Sequence, residues 1–254
     1  MNTIQQFYEI SRMTLKDFSK DFRFWVMILV SILIPPLFYI QTPIELIPNA
    51  DEFHRLIWGN IWGIMYIFRF FIVFTSCDII SKEFKNNTLL SIMTTPIRKK
   101  NIFLGKYLTI FLIITFFETI TFFFSIGLSV NLYNFPLSNS TIWVGYCVII
   151  LITPVTLAIS FMLSLFLRNT IQSFVLHLTY IFLGEPFLRK LNLSNITIRF
   201  LMDSQINYLR PKTIDGNTVE FISLFRQIYP ELLMPIFLII LSIIVFGQID
   251  LKDK

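Results

Sequence analysis

The sequence predicts an all-α polytopic membrane protein with six transmembrane helices, and three observations carry that prediction. Of 254 residues, 55% are hydrophobic and only 15% charged, against about 45–50% and about 25% in soluble domains. The apolar residues gather in blocks near the roughly 20 residues that a helix needs to cross a bilayer. The basic residues sit beside those blocks, where they orient helices. Backbone in lipid must satisfy its own hydrogen bonds, so each block must be helical.

Residues 1–23 form the first unit. Ile4, Phe7, Tyr8, Leu15, Phe18 and Phe22 recur at helical spacing, with Lys16, Asp17, Lys20, Asp21 and Arg23 between them. The pattern suits an amphipathic helix in the membrane interface; the alternative is a soluble helix or an unstructured lead-in. Residues 24–254 form the membrane domain. Its spans are expected at about 24–40, 57–77, 107–130, 142–167, 171–188 and 232–249. Pro35 and Pro36 are expected to kink or end the first span, because proline removes a backbone donor. The second and third spans flank a basic connector, Asp78 to Lys106. Arg168, Asn169 and Thr170 make a very short turn between the fourth and fifth spans. Glu185 and Pro186 close the fifth, and the mixed polar stretch from Arg189 to Glu231 precedes the sixth.

Lysine and arginine counts set the orientation. With both termini inside, thirteen fall on inner segments and seven on outer ones, Arg69 within a span being the remaining one. Both ends are therefore expected in the cytoplasm, although the last outer loop carries six basic residues. The net charge of +5 belongs to this asymmetry and does not argue for nucleic acid. No cleavable signal peptide is expected, since no small-residue cleavage pattern follows the first apolar block.

Catalytic signatures are missing from the sequence. It holds no Gly-x-x-x-x-Gly-Lys-Ser/Thr phosphate loop, no His-Glu-x-x-His zinc motif and no Gly-x-Ser-x-Gly elbow. His54 and His177 are too few for a histidine-based metal site, and Cys77 and Cys147 read as packing residues in apolar blocks. The 29 phenylalanines read as lipid-facing and core packing. The chain is not expected to be an enzyme or to bind a cofactor or metal.

Ionisable groups inside a span are costly and draw attention to themselves. Arg69 is expected about 12 Å from the inner end of the second span, and Glu118 about 16 Å into the third. Those depths let the two side chains meet. Either they neutralise each other between packed helices, or one or both face a path through the membrane. His177 shares a helical face with Ser173, Tyr180 and Gly184, while Trp62, Tyr66, Arg69 and Ser76 lie along one side of the second span. His177 is equally readable as a packed, hydrogen-bonded core residue.

The connector is the most informative stretch. Leu89, Ile92 and Met93 have helical spacing, Thr94, Thr95 and Pro96 end that helix, and Ile102, Phe103 and Gly105 lead back toward lipid. Glu83, Thr88, Leu89, Thr95, Pro96, Arg98, Lys99, Gly105 and Lys106 stand in an order that resembles the connector of the ABC-2 type permeases, the membrane subunits of type V ABC exporters. That connector runs from an acidic residue through Gly-Thr-Leu-Glu, a Thr-Pro break and a basic residue to a closing Gly-Lys. Asn87 replaces the usual Gly, a mild change because asparagine tolerates left-handed backbone. Leu90 replaces the usual Glu and removes a charge. An ordinary basic loop would explain the lysines and arginines but not this ordered spacing.

The resemblance implies that the connector is a coupling helix resting on a separate cytoplasmic ABC ATPase, with ATP and Mg on that partner and none on this chain. It implies a second permease subunit, most simply a homodimer in the cell membrane, with spans two and five lining a central path. It also implies short re-entrant helices within Arg189–Glu231. Arg69, Tyr66, His177 and Tyr180 would then face the path, with Glu118 beside Arg69. Such a path suits drugs, lipids or peptides equally. The reading from another class is a membrane scaffold or anchoring subunit that transports nothing.

Overall fold

A computed structural model describes residues 3–40, 50–86, 99–133, 139–190 and 236–246. Among them every regular element is helical: α1 (Thr3–Lys20), α2 (Phe22–Ile40), α3 (Ala50–Lys85), α4 (Lys99–Tyr133), α5 (Asn139–Leu167), α6 (Thr170–Thr179), a π-helical turn (Tyr180–Gly184), α7 (Glu185–Lys190) and α8 (Ile236–Phe246). Among the described residues, four stretches are long and apolar enough to cross a membrane: Phe22–Ile40, Gly59–Lys85, Lys99–Leu132 and Gly145–Leu167. The stretches expected as fifth and sixth spans hold shorter apolar helices, Thr170–Gly184 and Ile236–Phe246.

Helix α1 lies along the start of α4 and buries Gln6, Ile10, Thr14 and Phe18, four residues apart and therefore on one line. It is thus tied to the bundle and does not float beside it. Helix α2 also packs on α4, while α3 packs chiefly on α5 and touches α6. Of the two outcomes expected at Pro35 and Pro36, α2 does not end there but continues to Ile40. Proline deletes hydrogen bonds yet fixes a helical φ. The turn beyond it is anchored from outside, because Tyr39 Oη and Ser129 Oγ of α4 lie 2.7 Å apart in a buried hydrogen bond.

The helices flanking the connector are longer than expected. Helix α3 runs on past Asp78 to Lys85, and α4 begins at Lys99 instead of Tyr107. The stretch from Asp78 to Lys85 contains neither glycine nor proline, and lysine and glutamate are good helix formers, so nothing stops the helix at the membrane edge. The expected surface helix around Leu89, with the break at Pro96, lies outside the described residues. So do the expected re-entrant segments within 191–235.

Hydroxyl side chains let the central helices approach closely. Thr121, Ser125 and Ser129 on α4 donate to the carbonyls of Phe117, Thr121 and Ser125. On α5, Thr156 and Ser160 donate likewise to residues four before them. Small residues whose polar atoms are satisfied within their own helix are the usual packing surface between membrane helices. At one end of the bundle an aromatic cluster joins three helices. Phe103 of α4 lies 5.7 Å from Phe161 of α5 and 5.7 Å from Phe246 of α8, ring centre to ring centre.

Candidate functional site

The connector springs from a braced base. Glu83, near the end of α3, and Lys106, in the second turn of α4, form a direct ion pair. Their side chains are only 14% and 9% exposed. The pair holds the two feet of the connector together. A charge this buried is stable only with its counter-charge beside it.

Helix α1 closes the same base from the side. Asn101 Nδ2 donates to Gln6 Oε1 at 2.8 Å in a buried contact. Gly105 is the point of closest approach: a Cβ there would stand 2.8 Å from Ile10 Cγ2. The glycine of the closing Gly-Lys pair is therefore required by the close packing of α1 on α4. Lys99 opens α4, half-buried. Thr88, Leu89, Thr95, Pro96 and Arg98 lie outside the described residues.

A second charged network sits at the same end. Asp21 terminates α1, and its carboxylate accepts from the backbone N–H of Arg23 at 3.0 Å and from Arg23 Nε at 2.8 Å. Arg23 Nη1 reaches Asp78 Oδ2 of α3 at 2.5 Å, and Lys82 Nζ stands 3.7 Å from Asp21. Hydrogen bonds and charge from Arg23, with Lys82 nearby, outweigh burial and hold the Asp21 carboxyl at about 2, below its ordinary 3.8. Thr170 Oγ1 donates to Asp78 Oδ1 at 2.9 Å and so adds the start of α6. Just before it Arg168 adopts a positive φ of 51° and lays its guanidinium over the Phe84 ring, 5.4 Å from the centroid. Asn169 caps α6 by accepting from the N–H groups of Ile171 and Gln172. None of Asp21, Arg23 and Thr170 stood out in the sequence as a site residue, and Asp78 stood out only as the start of the connector. Their polarity at helix ends was visible, but not their mutual contact across as many as 92 positions.

Deeper in the bundle, polar groups collect where α3, α5 and α6 meet. His177 is fully buried, and its Nδ1 lies 2.9 Å from Ser160 Oγ of α5. Ser164 Oγ donates to the Cys77 carbonyl at 3.0 Å, linking α5 to α3. Arg69 is buried beside Tyr66, with its Cζ 6.0 Å from that ring's centroid. Tyr66, Arg69, Phe70 and Ile181 surround a small void. Tyr180 begins the π-helical turn, its ring 6.3 Å from that of His177. The structure thus gathers Tyr66, Arg69, His177 and Tyr180 on one side. It does not bring Glu118 to them. Glu118, also buried, accepts a hydrogen bond from Thr153 of α5 at 2.5 Å, and no ion pair joins it to Arg69 among the described residues. Similar depth did not make the pair, because depth fixes height along the bundle and not the direction in which each helix face points. The four-residue spacing of Thr156, Ser160 and Ser164 was the one sequence signal for the hydroxyl face opposite His177.

No catalytic constellation emerges from these groups. Their chemistry is that of fixed charges and hydrogen bonds holding helices in register around a connector and along a membrane-depth seam. This defines a polytopic helical membrane protein in which the ends of α3 and α4 are braced against each other. Residues 19–184, roughly two thirds of the chain, match the family model described as ABC-2 family transporter protein. The chain belongs to the ABC-2 transporter family, as a multi-pass membrane component of an ABC transporter. No curated protein matches it.

Proposed function

We propose that this chain is the permease subunit of an ATP-driven exporter, powered by a separate cytoplasmic ABC ATPase that carries the ATP and Mg. The chain itself is not an enzyme and binds no cofactor. Six spans place both termini in the cytoplasm of a cell-membrane protein, and two copies enclose the path. The observation that carries the reading is the family match taken with the braced base of the connector. A partner pushing on residues 87–98 moves α3 and α4 only if the feet of the connector are fixed to each other, which the Glu83–Lys106 pair provides. The partner must bind the connector differently in its two states, since differential binding is what drives a conformational change. Tyr66 and Tyr180, half-buried, then face the path, while Arg69 and His177, buried where α3, α5 and α6 meet, and Glu118, bonded to Thr153, stay inside the helix packing.

Co-purification tests this reading. The tagged chain, purified from its native membranes, should bring down a soluble ABC ATPase. Arg98→Glu should weaken the association or the stimulated hydrolysis while leaving the thermal midpoint of the permease unchanged. Recovery without any ATPase, or hydrolysis indifferent to substitutions at Leu89, Thr95 and Arg98, would sink it.

A further inference from the structure

Helix α5 carries an interior proline, Pro154, within the stretch long and apolar enough to cross a membrane. Proline has no N–H, and its ring crowds the carbonyl four residues back, here that of Ile150. α5 therefore bends most easily at this point. Two side chains of α4 meet it there. Tyr107 Oη donates to the Pro154 carbonyl at 2.8 Å, and Glu118 accepts from Thr153 Oγ1 at 2.5 Å. The two stand about three turns apart on α4 yet reach adjacent residues of α5.

Of these two, Tyr107 is the one joined to the connector. It directly follows Lys106, whose ammonium is paired with Glu83 of α3. Its buried ring stacks on Phe103 and meets the edge of Phe161, with centroids 6.4 and 5.5 Å away. Phe161 lies about two turns beyond Pro154. One side chain of α4 thus touches α5 at its weak point and again on the far side of it. That far half also holds Ser160, 2.9 Å from His177 of α6, and Ser164, which donates to the Cys77 carbonyl of α3. Apolar contacts slide past one another at little cost, whereas a directional hydrogen bond to a single carbonyl fixes a point.

We propose that Tyr107 is a positioning residue that passes movement of the connector base to α5. By holding the Pro154 carbonyl, it makes the far half of α5, with its Ser160–His177 contact, turn with the feet of the connector. Coupling of this kind travels through packed and hydrogen-bonded side chains to an element that has two arrangements, and the proline hinge supplies that element. The role rests on the exporter reading, which supplies the partner that moves the connector.

The test places spin labels on native Cys147 and on Phe166→Cys, both exposed positions of α5 that straddle Pro154 roughly 28 Å apart. Cys77→Ala removes the other thiol, and labelled chain is diluted with unlabelled chain so that the pair within one copy is read. The distance is measured in the permease–ATPase complex, nucleotide-free and trapped with ATP, Mg and vanadate. The parent should show a shift between the two conditions. Tyr107→Phe keeps the ring and loses only the hydroxyl. It should lose at least half of that shift while the ATPase still co-purifies and hydrolyses ATP. Pro154→Ala restores the N–H and stiffens the hinge, and it should lose the shift with Tyr107 in place. A full shift in Tyr107→Phe, with or without a lower thermal midpoint, makes the hydroxyl a packing contact and overturns the proposal. So does a parent that hydrolyses ATP without any shift. A chain that brings down no ATPase overturns the exporter reading itself, and this role with it.

Discussion

Two substitutions isolate the contacts that brace the connector. Gly105→Ala drives a Cβ into Ile10, whose β-branched side chain is stiff. It should destabilise the fold by about 1–3 kcal/mol, the usual range for overpacking. Ile10→Ala in the same chain should recover part of that loss, read as the thermal midpoint in detergent. Lys106→Met leaves the Glu83 carboxylate buried without its partner, a change worth about 3–5 kcal/mol. Adding Glu83→Gln should restore most of it, whereas a pair contributing nothing would show no loss in either variant. The importance of Gly105 and Lys106 was legible in the sequence through the ordered connector residues they close. The reason was not. Ile10 is 95 positions from Gly105, and no local pattern shows that their helices cross there. Conversely, Arg69 and Glu118 looked like partners because each was an isolated charge at similar depth, and helix facing decided otherwise.

Short polar joints hold the elements at angles that the apolar faces alone would not specify. The Asp21 corner between α1 and α2 is the clearest. Its carboxyl is depressed to about 2 in the fold, against 3.8 ordinarily. The folded form therefore binds its proton more weakly than the unfolded chain, so the stabilisation is complete above the ordinary value and is lost as pH falls through it toward 2. Unfolding measured between pH 5 and pH 2 should show this decline, and Asp21→Asn should flatten it while lowering stability at neutral pH. The α5–α6 turn makes a different prediction. Arg168 holds a left-handed backbone that glycine adopts freely, and it also stacks on Phe84. Arg168→Ala should cost about 1 kcal/mol; Arg168→Gly should cost less, because relief of the backbone offsets the lost stacking. The sequence marked this turn correctly through Asn169 and Thr170. It gave span bounds only, and α3 and α4 run beyond them as helix into the charged stretches.

The described residues form a bundle whose polar groups are unevenly placed. One end concentrates the ion pairs, the aromatic cluster of α4, α5 and α8, and the contact with α1. The middle holds the seam around His177 and Ser160. All-helical membrane architecture was legible from composition and block length, since both follow from the bilayer as solvent. Which helices touch was not, because lipid-facing and protein-facing apolar residues look alike in a membrane sequence. Tyr39 offers a test at this scale. Its hydroxyl fastens the post-proline turn of α2 to α4, so Tyr39→Phe should lower the thermal midpoint by an amount equivalent to about 1 kcal/mol. Unchanged stability would mean that α2 is held by its apolar face alone.

The amide of Asn101 faces Gln6. Trimming the chain by its first ten residues would strip that amide of its acceptor and open a furrow above Gly105. Such a shortened protein should clump during extraction from the membrane, while one trimmed only ahead of Gln6 should stay dispersed. Epitope labels are accordingly safer when appended before the first residue than when substituted into the opening helix.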